Sequence, residues 1–251
     1  MISNIDKNNI IPVIESDAFD EGGHFAVGRV NHSVIEALQH NTALQGAAAL
    51  RARTYQHYGF VREEELVNGL EVDADDERSA HFVVLERAAA SGLARVIGNM
   101  RVVVKDQNYP EPLPVERFFP EHFENTPAPL GSVEASRLIS MHENPRVQRL
   151  VKWPLFIAAY QFVNDHGYNS AFGLLTPKLT RELRIQGVPV TPLAEERYIG
   201  EINATKQPIE VDIPALGRAI QRVGNQGISV GSEGDFSRLA LPVPGSEEKA
   251  Q

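Results

Sequence analysis

One stretch in the middle of the chain combines an acid, hydroxyls and a guanidinium on a predicted strand. Residues 131–140 read Gly-Ser-Val-Glu-Ala-Ser-Arg-Leu-Ile-Ser. Successive side chains of a strand point to opposite faces. We therefore expect one face with Glu134, Ser136 and Leu138, and another with Val133, Ala135, Arg137 and Ile139. A charge inside a domain is costly unless it is paired or used. The pattern therefore indicates a site that needs a proton acceptor, with Glu134 as the candidate.

Three further charged sets precede this strand. They are Arg51 with Tyr55, one turn apart on a predicted helix; Glu71, Asp73 and Asp76 in an acidic segment; and Arg101 in a predicted strand. Each set alone also has a purely structural explanation, because acidic runs are usually solvated loops and strand arginines often face water. Glu134 itself has two interpretations, as a base or as a structural ion-pair partner of Arg101 or Arg51.

Composition excludes several classes of site. The chain has 251 residues, 42% of them hydrophobic, which allows a sizeable core. It has no cysteine, which excludes disulfides and thiolate sites. A formal net charge of -9 argues against wide nucleic-acid binding, and the scattered histidines predict no metal site. Without a leader pattern or a membrane-length apolar run, we expect a cytoplasmic protein that is not transmembrane.

The order of the predicted elements indicates the fold class. Helical patterns cover 43–58, 146–166 and 177–186, with Pro154 implying a kink or a delayed start in the second. Strand patterns cover 80–86, 96–105, the Glu134 stretch, 170–175, 198–202 and 209–211, and a proline-rich excursion fills 106–129. Because a hairpin and helical crossovers both occur, we predict an α/β (α+β) fold with a mixed twisted sheet flanked by helices.

The ends of the chain differ in composition from its middle. We expect an N-terminal arm over 1–30, one domain over 31–223, with a helix starting near Asn31 or Ser33, and a flexible tail over 224–251 rich in Gly, Ser and Pro.

Together, and in this order, the charged sets resemble the acyl-homoserine-lactone (autoinducer) synthases and the related N-acyl amino acid synthases, a branch of the Gcn5-related N-acyltransferase superfamily. The family pattern is a helical Arg with an aromatic four residues later, then E-x-D-x-x-D, a strand G-x-x-R, and E-x-S-R. The chain supplies these as Arg51 and Tyr55; Glu71, Asp73 and Asp76; Gly98 and Arg101; and Glu134, Ser136 and Arg137. The resemblance covers residues 50–212.

The resemblance implies a Gcn5-related N-acyltransferase fold and the transfer of a fatty acyl group from a thioester, on acyl carrier protein or coenzyme A, to the amine of a small acceptor. The acceptor would be an amino acid or a derivative, and no tightly bound cofactor is implied. Glu134 and Ser136 would be catalytic, and the other residues of the pattern would bind substrate. An α-amino group with a pKa of about 8 is mostly protonated at neutral pH, so the reaction needs a base.

Two expectations concern the acyl donor. Amides at the start of the 146–166 helix, with Arg146 and Arg149, could hold a phosphorylated donor. The apolar side chains of that helix could wall a tunnel for a medium or long acyl chain; they are Trp153, Phe156, Ile157, Tyr160 and Phe162.

The chain also departs from the family pattern. Phe60 stands where autoinducer synthases place a Trp, and residues 77–82, Glu-Arg-Ser-Ala-His-Phe, look more like the N-acyl amino acid synthases. The Gly-rich Q/R-x-x-G-x-G/A loop of ordinary acetyltransferases is missing at 142–149. The alternatives are therefore an acyl-homoserine-lactone synthase using S-adenosylmethionine, a small-acyl acetyltransferase, and a non-catalytic acyl-binding protein.

Overall fold

The computed structural model describes residues 25–30, 42–87, 94–224 and 238–239. The strands of these parts are β1 (Phe25–Val30), β2 (Ser79–Arg87), β3 (Ala94–Lys105), β4 (Ser132–Ser140), β5 (Ser170–Leu175), β6 (Val190–Pro192), β7 (Arg197–Ile199), β8 (Ala204–Val211) and β9 (Arg238–Leu239). The helices are α1 (Thr42–His57), α2 (Pro114–Phe118), α3 (Pro120–Phe123), α4 (Pro145–Leu150), α5 (Lys152–Asp165), α6 (Pro177–Ile185) and α7 (Ile213–Gly224). Short 3-10 turns cover Glu63–Glu65, Ala74–Arg78 and Gly200–Ile202.

The described strands form one mixed sheet in the order β6-β8-β5-β4-β3-β2-β1-β9, with β7 also paired to β8. Neighbours from β1 to β4 are antiparallel, β4 and β5 are parallel, and β5 and β8 are antiparallel. The mixed sheet flanked by helices that we predicted is therefore confirmed. The main apolar core lies between one face of the sheet and helices α5, α6 and α7. A smaller cluster on the other face includes Val103, Val115 and Phe172, beneath the 106–129 excursion.

Strands β4 and β5 pair over only part of their length. The ladder runs from Ser132 opposite Ser170 to Ala135 opposite Gly173 and stops there, although both strands continue. Glu134 therefore lies one residue before the point where the two strands cease to pair.

A β-bulge at Arg137 changes the predicted faces of β4. Arg101 pairs with Ser136, and Asn99 pairs with Ile139. Between these two pairs β3 moves by two residues, whereas β4 moves by three. The extra residue is Arg137, whose φ of 56° lies in the left-handed region. The expected alternation is right as far as Ser136 and wrong beyond it: Arg137 turns to the side of Ser136, and Leu138 packs against the main core. The sequence does not indicate the bulge, because arginine rarely adopts a positive φ.

The long helix predicted over 146–166 is two helices. Helix α4 ends at Leu150 and α5 begins at Lys152, so Pro154 falls within the first turn of α5. Proline is tolerated there because the first N–H groups of a helix have no partner inside it. The prediction of one continuous helix is therefore wrong; of the kink or delayed start that Pro154 implied, the structure shows the second, because α5 begins two residues before the proline.

The domain limits remain predictions, and the structure adds two observations about them. Strand β1 falls within the predicted arm and pairs with β2, and β9 falls within the predicted tail and pairs with β1. The helix predicted to start near Asn31 or Ser33 lies outside the described residues. Among the described helices, none is both long and apolar enough to cross a membrane.

Candidate active site

Arg51 of α1 joins the acidic segment to the body of the domain. Its Nε lies 2.6 Å from Oε2 of Glu71, and its Nη2 donates to Oδ2 of Asp76 at 2.8 Å. Arg51 and Asp76 are fully buried. The predicted acidic loop is therefore not a solvated run at these positions: it folds inward onto the arginine that precedes it.

Arg101 of β3 connects the same acids to the E-x-S-R strand. It donates to Asp76 at 2.8 Å, to Asp73, and through Nε to the Ser136 hydroxyl at 3.0 Å. Asp73 in turn caps the Ala74–Arg78 turn by accepting from the Asp75 N–H. Since Arg101 and Ser136 are also opposite each other in the ladder, strand register sets this contact.

Arg137 completes the network from the bulge. Its Nη2 lies 2.6 Å from Oε1 of Glu71 and 2.6 Å from Oδ2 of Asp73. Its guanidinium carbon also lies 5.3 Å from the ring centroid of Tyr55. The structure thus brings together eight of the predicted residues, namely Arg51, Tyr55, Glu71, Asp73, Asp76, Arg101, Ser136 and Arg137.

The network fixes the charge state of its central groups. Burial opposes ionisation of Asp76, but Arg101 and Arg51 hold the pKa of its carboxyl well below the usual range. His81 of β2 is buried beside it, with Nε2 at 3.6 Å from Oδ1. Burial, with repulsion from Arg51 and Arg101, lowers the pKa of His81 to about 4 despite Asp76, so the imidazole is neutral at neutral pH.

Glu134 is not part of this ion-pair network. Its carboxylate is buried, and Oε2 accepts the Val115 N–H at 2.6 Å. Burial raises the pKa of Glu134 to about 7, although the Val115 N–H and the charge of Arg101 act in the opposite direction. The structure thus gives Glu134 no ion-pair partner among the described residues, and its pKa is suited to proton exchange near neutrality.

Asp75, which lies between two residues of the acidic motif, is a further member of the site that the sequence pattern did not indicate. Asp75 accepts from Arg78 at 2.8 Å and also pairs with Arg117 of α2. Arg78 donates onward to the carbonyls of Glu111 and Pro112, each at 2.7 Å. These contacts attach the 106–129 excursion to the acidic segment and so place the Val115 N–H against Glu134.

A cavity of about 650 Å³ lies between the sheet and helices α5, α6 and α7, where β4 and β5 cease to pair. Its wall is mostly apolar and includes Val102, Ala135, Phe156, Val163 and Ile209. Of the residues predicted to wall a tunnel, Phe156 and Tyr160 line the cavity, whereas Trp153, Ile157 and Phe162 do not. The cavity therefore borders the strand of the candidate base on the apolar side of the sheet.

The polar part of the wall contains predicted and missed residues. Tyr55, Ser136 and Arg137 line it, together with Phe60 and Lys206 of β8; we call these five residues the mouth. Glu134 itself is not among the lining residues. Lys206 lies between the two strands predicted over 198–202 and 209–211. Nothing in the local sequence indicates that β8 lies opposite β4 across the opening of the cavity.

Of the two predicted donor arginines, the structure describes the side chain of Arg149 alone. Arg149 is exposed and does not line the cavity, and the side chain of Arg146 lies outside the described part of the chain. Near the break between α4 and α5, the polar residues that line the cavity are Gln148 and Lys152, together with Lys178 of α6. Arg149 lies on the exposed side of α4, whereas its neighbour Gln148 on the same helix lines the cavity. Among the described residues, no cluster of acids and histidines could hold a metal ion.

The bulge predicts a stability difference between two variants. Arg137→Ala and Arg137→Gly both remove the guanidinium, but only glycine adopts a φ of 56° without a steric cost. We expect the glycine variant to be more stable by up to about 1 kcal/mol, measured by urea denaturation. Equal stabilities would contradict the left-handed conformation at this position.

Comparison with solved structures agrees with the fold. The CoA-dependent acyl-homoserine lactone synthase BjaI, solved with MTA, is 21% identical with a TM-score of 0.57, over 81% of this chain and 90% of that one. The CoA-dependent synthase MesI is 16% identical with a TM-score of 0.55, over 85% and 97% of the two chains. The synthase LasI is 19% identical with a TM-score of 0.53, over 75% and 89%. A search of curated protein sequences finds no match.

The sequence model of the autoinducer synthase family matches residues 36–215, a segment that contains every member of the charged network and the candidate base. The resemblance deduced from the charged motifs is therefore confirmed. The chain belongs to the autoinducer synthase family and is an acyltransferase.

Proposed function

We propose that the enzyme transfers a medium or long acyl group from a thioester to the amine of a small acceptor, an amino acid or a derivative of one. The apolar cavity beside β4 is the observation that carries this proposal. An acetyl group would leave most of a space of about 650 Å³ unfilled. Burying a fatty chain against this wall would instead contribute about 0.8 kcal/mol for each methylene.

Glu134 is the proposed general base. Its pKa of about 7 leaves a substantial fraction ionised at neutral pH, so it can accept the proton of the attacking ammonium directly or through one water molecule. Ser136, which is held by Arg101 and lines the cavity, would position the acceptor beside it.

The thioester oxygen gains negative charge as the amine attacks. Beyond Ala135 the β4 backbone no longer pairs with β5, so its amides on that side are candidates to stabilise the oxygen. The ion-pair network would act indirectly, by holding Arg137 and Tyr55 at the mouth.

The donor thioester would enter from the end of the cavity lined by Gln148, Lys152 and Lys178. Its carrier is coenzyme A or acyl carrier protein, and two lysines suit the phosphate groups of either one. BjaI and MesI are described as CoA-dependent, which supports coenzyme A as the first donor to test.

S-adenosylmethionine is the second candidate acceptor. The family match favours it, and BjaI has been solved with SAM and isopentyl-CoA. Mass spectrometry of lipid extracts from expressing cells separates the two candidates. An N-acyl amino acid supports the first, an acyl-homoserine lactone supports the second, and the absence of any new N-acyl species would contradict both.

Donor preference should rise steeply with acyl chain length. Each added methylene should increase kcat/KM by about fourfold until the cavity is full, which follows from ~0.8 kcal/mol per buried methylene. Thioester consumption measured from acetyl to palmitoyl donors checks this. A flat profile, or one that peaks at acetyl, would favour the small-acyl alternative.

A further inference from the structure

The 106–129 excursion contacts the candidate base through its backbone. The Val115 N–H donates to Oε2 of Glu134 at 2.6 Å, and both residues are buried. The Val115 side chain packs in the smaller apolar cluster with Phe172, the β5 residue opposite Glu134 in the ladder. Glu134 therefore depends for this hydrogen bond on a segment that contains no strand of the sheet.

A buried ion pair anchors the residue that follows Val115. Both carboxylate oxygens of Glu116 lie within 2.9 Å of the ammonium of Lys105, at the end of β3. The same carboxylate accepts the N–H groups of Leu113 and Ala128, at 2.7 and 3.0 Å. This pair therefore attaches the excursion to the sheet from the side of β3.

The next residue, Arg117, attaches the excursion to the acidic segment. Its Nη1 lies 3.2 Å from Oδ1 of Asp75, and its Nη2 contacts the other carboxylate oxygen. The side chain of Arg117 is 43% exposed, whereas that of Asp75 is only 10% exposed. Arg117 can therefore be replaced without opening a cavity in the core.

We propose that Asp75 and Arg117 are positioning residues of the acyl transfer, because their ion pair holds the Val115 N–H against the carboxylate of Glu134. This inference rests on the proposed function, in which Glu134 is the base. A hydrogen bond donated to a carboxylate favours its ionised form, which is the form that accepts a proton. Since neither Asp75 nor Arg117 lines the cavity, their effect on the reaction passes through Glu134.

Several charges and one hydrogen bond act on the pKa of Glu134. Burial raises this pKa most, and the Val115 N–H is the strongest influence that lowers it. The Val115 N–H changes the pKa more than the charge of Asp75 does, so losing the bond outweighs losing that charge. The charged groups around Glu134 are Arg101 of β3, Arg117 of α2, Asp75 of the Ala74–Arg78 turn and Lys206 of β8.

Two substitutions separate positioning from a direct effect of charge. If charge alone acted, Arg117→Met would raise the pKa of Glu134, and Asp75→Asn would lower it. If the ion pair holds the Val115 N–H, both variants weaken this bond, and both should raise the pKa by about one pH unit. A carbon-13 NMR titration of the Glu134 carboxyl measures the pKa without turnover. Its signal is identified as the one that is missing from Glu134→Gln.

The acidic limb of kcat should shift by the same amount. At pH 7 both variants should be about fivefold slower than the wild type, because less of Glu134 is ionised, and they should recover the wild-type kcat above about pH 9. A purely structural role would instead lower kcat equally at every pH. Arg117→Lys keeps a cation opposite Asp75 and should restore most of the wild-type profile.

Arg197→Met provides a matched control. Arg197 also pairs with the excursion, through Glu121 of α3 at 2.9 Å, and its side chain is 44% exposed. It does not line the cavity. Because this contact does not involve the residues beside Val115, the variant should keep the wild-type pKa of Glu134 and the wild-type acidic limb.

The outcomes separate this inference from the proposed function. Shifts of the Glu134 pKa in opposite directions, or no shift, would overturn the positioning role and leave the acyl transfer standing. A lower pKa in both variants would mean that water enters when the ion pair is lost, which also overturns it. If wild-type kcat has no acidic limb, Glu134 is not the base, and the positioning role fails together with that part of the proposed function.

Discussion

Replacing Glu134 with glutamine is expected to lower kcat by about 10²- to 10⁴-fold, the range typical of losing a general base. The fold should survive the change, because the amide oxygen of glutamine can still accept the Val115 N–H. Steady-state kinetics with a saturating acyl donor measure the effect, and circular dichroism verifies folding. Full activity at neutral pH would restrict Glu134 to a structural role.

The pH profile gives the same prediction a second readout. A base with a pKa of about 7 is active when deprotonated, so wild-type kcat should fall as the pH drops below 7. In Glu134→Gln this acidic limb should disappear from the residual activity. Glu86→Gln is a suitable control, because Glu86 is a partly buried carboxylate paired with Arg95 and His142, outside the cavity wall. The control should retain the limb.

Glu134 also links catalysis to stability. Its folded pKa of about 7 lies above its ordinary value of 4.5, so the folded state holds this proton more tightly than the unfolded state. The resulting stabilisation is full below pH 4.5 and is lost as the pH rises through 7. At pH 8 the ionised carboxylate destabilises the fold, and Glu134→Gln should therefore melt at a higher temperature than the wild type. At pH 4.5 the two should melt together.

Asp76→Asn is expected to destabilise the domain by about 3–5 kcal/mol, the usual cost of leaving buried charges without their partner. Arg51 and Arg101 both converge on this carboxylate, and all three side chains are at most 1% exposed. For a domain of this size the loss corresponds to a melting temperature lower by roughly 6–20 °C. Differential scanning calorimetry measures it.

Glu64→Gln is the matched control for Asp76. Glu64 also forms a salt bridge with an arginine, Arg62, but its side chain is 66% exposed. Exposed pairs contribute little because water and salt screen them, so the melting temperature should hardly change. A normal melting temperature for Asp76→Asn would show that the buried network is not needed for folding.

The sequence predicted those parts of the site that depend on residue type and order. Arg51 and Arg101 are charged residues inside a predicted helix and a predicted strand, and the cost of burying them singly requires partners. Asp76 was predicted in an acidic loop, and only its place in the family pattern indicated a role in the site. The contacts of the two arginines follow from the helix and the strand that carry them. The mixed sheet was predictable for the same reason, since hairpin and helical crossover patterns are both local.

What the sequence could not show depends on backbone irregularity and on distant contacts. The bulge at Arg137 has no local signal, and it moves one guanidinium to the other side of the sheet. Lys206 reaches the mouth only because β8 pairs with β5, far along the chain from β4. The position of Val115 above Glu134 likewise depends on a proline-rich excursion whose docking is set by Asp75 and Arg117.

The Ala74–Arg78 turn limits how this enzyme can vary in evolution or by design. Two adjacent carboxylates of the turn face different partners: Asp75 binds the excursion through Arg117, and Asp76 binds Arg51 and Arg101. Inserting or deleting one residue in a 3-10 turn rotates those that follow by about 120°. Such a change would separate both sets of contacts at once, whereas substitutions of the mouth residues Phe60 and Lys206 remove none of these contacts. We therefore expect acceptor specificity to be exchangeable between relatives by point substitutions, and chimeras that alter the length of this turn to fail to fold.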